Sequence, residues 1–236
     1  MSSAAPPSID VVIPAFNEEA SLPLVLDALR GTGARRVVVA DNNSSDRTAA
    51  VARAGGAEVV TATRQGYGSA CLAGLDHLRA TDPPDVVVFV DADYSDHPDE
   101  LPSLVAPILE GRADLVIGSR VLGRRERGAL LPQARAGNAV ATLLIRALYG
   151  HRYTDLGPFR AVRWSSLERL AMRDPDFGWT AEMQVKALRC RLRVVEVPVS
   201  YRRRVGVSKI TGTVGGTVRA GYRIVTTILL HAWRRA

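Results

Sequence analysis

Two aspartates one residue apart, Asp91 and Asp93, stand where an apolar run ends, in VDADYSDHPDE (90–100). Carboxylates are hard oxygen donors. A pair so spaced can hold Mg²⁺ or Mn²⁺ against the phosphates of a nucleoside diphosphate, one turned to the metal and the other to ribose or a metal-bound water. A D-x-D pair alone says little, because acidic residues also close turns and cap helices at strand ends. Two other segments strengthen it: AFNEE carries Asn17 and Glu18, and DNNSSD carries Asp41, Asn42 and Asn43, each directly after a short apolar run. Ser95 and Asp96 could extend a metal shell, although Asp96, two residues ahead of Pro98, reads better as the cap of the helix that the proline begins.

These groups act together only if the chain folds them to one edge. β-branched runs at Ile9 to Pro14, Arg36 to Ala40, Glu58 to Ala62, Val86 to Val90 and Leu115 to Ile117 alternate with segments of helical period, the pattern of parallel β-α units. The fold class expected is α/β, one domain with a mostly parallel central sheet and helices on both faces, because runs this apolar suit strands covered on both sides. Ligands of such sheets bind beyond the carboxyl ends of the strands, which is where the three acidic segments fall. After Gly118 the pattern changes. Ser119 to Arg135 reads as a mobile functional loop, Asn138 to Tyr149 and Thr180 to Arg189 as helices, and Phe159 to Arg163 and Val194 to Val199 as strands extending the same sheet. The organisation expected is a disordered lead-in over 1–8, one domain over 9–212, and a basic amphipathic helix over 213–236.

A chain of 236 residues with 47% hydrophobic residues can bury a large single core. A formal charge of +7 points to an anionic partner, and no motif beyond that charge supports nucleic acid. Lys186 and Lys209 are the only lysines, so the arginine excess reads as compositional bias and carries little weight. Cys71 and Cys190 lack metal or redox spacing and read as buried free thiols of a reducing compartment. The N-terminus lacks the charge and apolar run of a signal peptide, and no apolar stretch of about 18 residues occurs. The expected location is cytoplasmic, with the basic C-terminal segment offering peripheral contact with the inner face of the membrane. In that segment Val218, Val225, Ile228 and Leu229 lie among Arg219, Arg223, Arg234 and Arg235; a helix that closes the core or forms a homo-oligomer contact is preferred over an interfacial membrane helix.

Taken in order, VVIPAFNEE, ADNNSSDRT, RQGYGSACLAGL, VDADYSDHPDE, IGSR and RVGVSK resemble the family 2 glycosyltransferases of GT-A fold across about residues 9 to 210. The resemblance implies a nucleoside-diphosphate sugar donor, a divalent cation at Asp91 and Asp93, and transfer with inversion. It implies a nucleotide pocket lined by Pro14, Ala15, Asn17, Glu18, Asp41, Asn42, Gly66, Asp91 and Ala92. Gly66 and Gly68, flanking Tyr67, would let backbone approach a phosphate or sugar, and a structural turn explains them almost as well.

Within the family the chain looks most like the polyprenyl-phosphate mannose and glucose synthases, which implies a polyprenyl (dolichyl-type) phosphate acceptor. Arg120, Arg135, Arg204 and Lys209 are the phosphate-binding residues carried over, a role that guanidinium suits. Asp93 joins Glu182 and Asp155 as catalytic candidates. For a hydroxyl acceptor, Glu182 or Asp155 would be the general base; for a phosphate acceptor, already ionised, they would orient the acceptor, the sugar or nearby cations. The structural alternative for either acid is to cap a helix or pair with Arg160. Two features depart from the pattern: three residues rather than two separate Asp93 from His97, and the transmembrane helices frequent in such synthases are absent. A hydroxyl acceptor in envelope polysaccharide or glycolipid synthesis, a nucleotidyltransferase and a non-catalytic nucleotide-binding module are the alternatives.

Overall fold

The computed structural model describes residues 6–206 and 214–233. Within these residues seven strands form one sheet: β1 (Ile9–Ala15), β2 (Arg36–Asp41), β3 (Glu58–Thr61), β4 (Val86–Phe89), β5 (Leu115–Ser119), β6 (Arg160–Arg163) and β7 (Val194–Pro198). Among the described residues, eight α-helices accompany them: α1 (Leu22–Ala28), α2 (Thr48–Ala54), α3 (Tyr67–Thr81), α4 (Leu101–Leu109), α5 (Pro132–Tyr149), α6 (Trp164–Leu170), α7 (Trp179–Arg189) and α8 (Val214–Trp233). The sheet order is β3-β2-β1-β4-β6-β5-β7. Pairing is parallel except at β6, which runs antiparallel to both β4 and β5.

The valine runs sort by the two-residue period of a strand. Val11, Ile13, Val39, Val86, Val88 and Val116 pack with α1 and α4 on one face. Their neighbours Val12, Val38, Val87, Phe89, Leu115 and Ile117 pack with residues of α3, α5, α6, α7 and α8 on the other. Continuous apolar sequence is thus the record of a sheet buried on both sides.

The chain lays β2 and β3 to one side of β1 and returns β4 to the other, so the strand order reverses between β1 and β4. Two parallel strands whose connections leave in opposite directions open a crevice beyond their carboxyl ends. That crevice lies between Ala15 and the segment after Phe89.

Three local expectations are corrected. Residues 119–131 are not a loose loop: Arg125 bridges Tyr201, the Tyr201 carbonyl accepts from the Glu126 amide at 2.9 Å, and the Arg124 carbonyl accepts from the Tyr201 amide at 2.8 Å. The helix read from Asn138 begins at Pro132, where the proline suits a first turn, having no N–H to lose. Ser8, assigned to the disordered lead-in, is held by Asp85, whose carboxylate accepts from both its amide at 2.8 Å and its hydroxyl at 3.0 Å. The C-terminal helix does close the core, with Ile228 fully buried and its carbonyl accepting from the Tyr149 hydroxyl at 2.9 Å, yet Val218, Tyr222, Leu230 and Trp233 stay exposed.

Candidate active site

The crevice at the β1 and β4 ends holds a cavity of about 360 Å³. Pro14 and Ala15 come from β1, Glu18 from the loop after it, Asn42 from the end of β2, Gly66 and Tyr67 from the start of α3, and Asp91, Ala92 and Asp93 from the turn after β4. Arg204, following β7, closes the ring from the far end of the sheet.

The Asp93 carboxylate is fixed on both oxygens. Oδ1 accepts from the Ser95 amide at 2.9 Å and the Ser95 hydroxyl at 2.5 Å, and Oδ2 faces Arg204 Nη1 at 3.2 Å. The same guanidinium donates to Glu18 Oε1 at 2.9 Å, and Glu18 Oε2 accepts from the Ser21 hydroxyl at 2.6 Å. Asp91 accepts from the Tyr67 hydroxyl at 3.1 Å. Loss of water around its carboxyl and then the charge of Asp93 push Asp91 up to about 7.

Tyr94 takes a left-handed φ of 60°, which turns the extra residue of this loop back on itself. The buried Asp96 carboxylate therefore comes to lie beneath the Asp91 amide, accepting from it at 3.4 Å, instead of capping a helix; His97 precedes the short turn at Pro98 and makes no side-chain cap. Burial, then Asp91 and Asp93, raise Asp96 well above the usual carboxylate range, and its Oδ1 has no hydrogen-bond partner. Asp91 and Asp93, one residue apart at the cleft, form a pair of oxygen donors that fits a divalent cation completed by a ligand's own oxygens, with the buried Asp96 behind them.

The other anticipated residues divide. Asn42 Oδ1 accepts from the Gly66 amide at 3.0 Å and so positions the cleft wall. Asn17 and Asp41 serve turns instead, accepting from the amides of Ser45 at 2.7 Å and Ser44 at 3.3 Å. Gly66 and Gly68 do permit a close backbone approach, but to this chain's own loop: a Cβ would lie 2.2 Å from the Pro175 carbonyl oxygen at Gly66 and 2.0 Å from that of Asp174 at Gly68. Arg202 stacks over the Tyr94 ring at 3.8 Å and Arg203 bonds the Arg127 carbonyl, so of the three adjacent arginines only Arg204 enters the cleft.

Arg120, Asp155, Glu182 and Arg135 do not line it. Arg120 grips the fully buried Asp155 with both arms of its fork, Nε and Nη2 each at 2.8 Å, and its amide donates to the same carboxylate at 2.8 Å. The pairing turns the two groups toward each other, outside the cleft. The Glu182 carboxylate accepts from the amides of Arg173 at 3.1 Å and Asp174 at 2.7 Å and meets Lys186 Nζ at 2.7 Å. It holds a loop. Arg135 is exposed on the first turn of α5, and Lys209 lies outside the described residues. Arg160, the anticipated partner of these acids, bonds instead the carbonyls of Leu156, Gly157 and Thr180.

Sequence reasoning missed Phe16, Gln65, Asp176, Phe177 and Arg219, all of which line the cleft, and gave Tyr67 no role of its own. Tyr67 and Gln65 sit inside the RQGYG motif and were within reach. Asp176 and Phe177 carried no signal, because the loop that bears them reaches the cleft only by packing on the α3 glycines, with Asp176 Oδ2 3.4 Å from Arg219.

The family model described as glycosyl transferase family 2 matches residues 10–171. A Mycobacterium tuberculosis protein named an uncharacterized glycosyltransferase is 41% identical over 215 residues, covering 90% of this chain and 94% of the relative. An undecaprenyl-phosphate mannosyltransferase of Micrococcus luteus is 34% identical over 220 residues, covering 87% and 88%. Among solved structures, glucosyl-3-phosphoglycerate synthase from Mycobacterium tuberculosis, in complex with Mn²⁺, UDP-glucose and phosphoglyceric acid, superposes with a TM-score of 0.74 at 26% identity, covering 97% of this chain and 80% of that one.

Proposed function

The chain belongs to glycosyl transferase family 2, and on that premise we propose that it moves a hexose from a nucleoside-diphosphate sugar to the phosphate of a polyprenyl lipid, with inversion. The observation that carries the donor half is the convergence of Asp91, Asp93, Glu18 and Arg204 on one cleft at the β1–β4 reversal. Among the described residues no three His, Cys, Asp or Glu side chains converge as a ready-made metal cage, so Asp91 and Asp93 would hold Mg²⁺ or Mn²⁺ together with the donor's own oxygens. Such an ion supplies charge stabilisation to the departing diphosphate.

The side chains divide the remaining work. Pro14, Ala15, Asn42, Gly66 and Ala92 enclose the nucleotide. Ser95 fixes the rotamer of Asp93, and Tyr67 fixes that of Asp91. Arg204, released from Glu18 and Asp93 when the donor brings its own charges, turns its fork to phosphate oxygens.

The acceptor half rests on different support. Asp155 and Glu182 are both consumed by internal partners, and an ionised phosphate acceptor needs no base. The mannosyltransferase relative acts, by its name, on undecaprenyl phosphate. The apolar residues exposed on α8 share that helix with Arg219, which reaches the cleft, so a lipid surface beside α8 would deliver its phosphate to the site. No helix among the described residues is long and apolar enough to cross a membrane. A second reading, transfer to a hydroxyl of a small phosphorylated acceptor, is favoured by Asp176, a carboxylate that lines the cleft, and by the phosphoglyceric acid of the neighbouring structure.

Radiolabelled nucleotide sugars, offered with and without polyprenyl phosphate and Mn²⁺, test both halves. Label entering the organic phase only with polyprenyl phosphate and metal supports the lipid reading. Label passing instead to a water-soluble phosphorylated acceptor supports the second, and no transfer from any nucleotide sugar overturns both.

A further inference from the structure

A second cavity, of about 610 Å³, lies between α7, α8 and the segment after α6, outside the donor cleft. We propose that it is a binding site for a phosphate group. Four cationic side chains reach it from three elements: Arg173 from the loop, Lys186 and Arg189 from α7, and Arg223 from α8. Its two carboxylates are already committed. Glu182 is spent on the Arg173 and Asp174 amides and on Lys186, and Asp174 accepts from the Asp176 amide at 2.8 Å and the Thr227 hydroxyl at 3.2 Å. Among the described residues neither Arg173 nor Arg223 has a carboxylate within salt-bridge distance.

Arg173 and Arg223, drawn from a loop and a helix to one cavity and without a carboxylate in salt-bridge distance, offer guanidinium forks of the kind that recognise a tetrahedral oxyanion. A phosphate has oxygens enough to engage both forks. Leu170 and Leu230 also line the cavity, with Leu230 exposed, so a phosphate carrying an organic or acyl portion fits as well as the bare ion. The source is therefore either a soluble phosphate or a lipid headgroup. The wall between the two cavities is one segment: Asp174 faces this site, and Asp176 and Phe177 face the donor cleft.

Isothermal titration of the whole chain with inorganic phosphate, and flotation with phosphatidylcholine vesicles with and without phosphatidic acid, read the two sources. The Arg173→Ala/Arg223→Ala variant is expected to bind about tenfold or more weakly, the loss of one or two charge-assisted contacts. Both side chains stand outside the core, so its melting temperature stays at the wild-type value; the single variants serve if the double one does not fold. A response to phosphate lost in that variant and kept in Arg204→Ala supports a soluble ligand. A response to phosphatidic acid alone, lost in the same variant, supports a headgroup. Wild-type protein that answers to neither, or binding lost in Arg204→Ala but unchanged in the double variant, overturns the proposal.

Discussion

Asp91 and Asp155 are both carboxylates in the loops around one sheet, and they meet opposite surroundings. At the β1–β4 reversal, Asp91, Asp93 and Asp96 crowd together, one oxygen of Asp96 is unpartnered, and Asp91 is lifted to about 7. Near β5 and β6, Asp155 is more deeply buried and wholly satisfied, its oxygens taken by the fork and amide of Arg120. Glu182 belongs with Asp155, closing a loop on two amides and a lysine. The contrast teaches that burial does not mark a chemical group; incomplete compensation does. A satisfied acid builds structure, whereas a cluster left short of positive charge is set to take a cation and what the cation carries.

The contrast is most open to attack at Asp155. Asp155→Ala leaves the Arg120 guanidinium buried without its partner and is expected to cost about 3–5 kcal/mol, seen as a melting temperature lower by roughly 10 °C. If the variant melts as the wild type does but loses transfer, Asp155 moves to the chemical side of the comparison. Asp93→Ala is expected to behave oppositely: transfer from the nucleotide sugar falls on the order of 100-fold or more, while the melting temperature holds or rises because a repulsive charge is gone. Unchanged transfer would break the donor-site assignment.

The smallest effect is the one with pH. Asp91, raised to about 7, keeps its proton in the folded protein between about pH 4 and 7, where the unfolded chain has released it. Folding then takes up a proton, and this contribution to stability, full below about pH 4, is lost as pH rises through 7. Under a chelator, the stability of Asp91→Asn relative to wild type should therefore climb across that window in denaturant titrations. Parallel curves for the two proteins would show that the Asp91 carboxyl is not held proton-bound.

Much of the site was legible before folding. The glycosyltransferase motifs in order, the apolar runs and the D-x-D pair located the cleft, and Pro14, Ala15, Glu18, Asn42, Gly66, Ala92 and Arg204 do line it. What misled was the reading of carboxylates and cations far along the chain. Arg120, Asp155 and Glu182 carry the right chemistry in the right order and are used up in pairs that no spacing announces.

The sequence by itself determined the two-sided sheet and its acidic edge, because strand period and strand-end polarity are properties of a few neighbouring residues. Only the tertiary structure decided which charges remain uncompensated. That depends on partners 35 residues apart for Arg120 and Asp155 and 186 apart for Arg204 and Glu18. Electrostatic compensation is a property of distance in space, and the chain brings those groups together only when β6 turns antiparallel and the segment after β7 crosses back over the cleft.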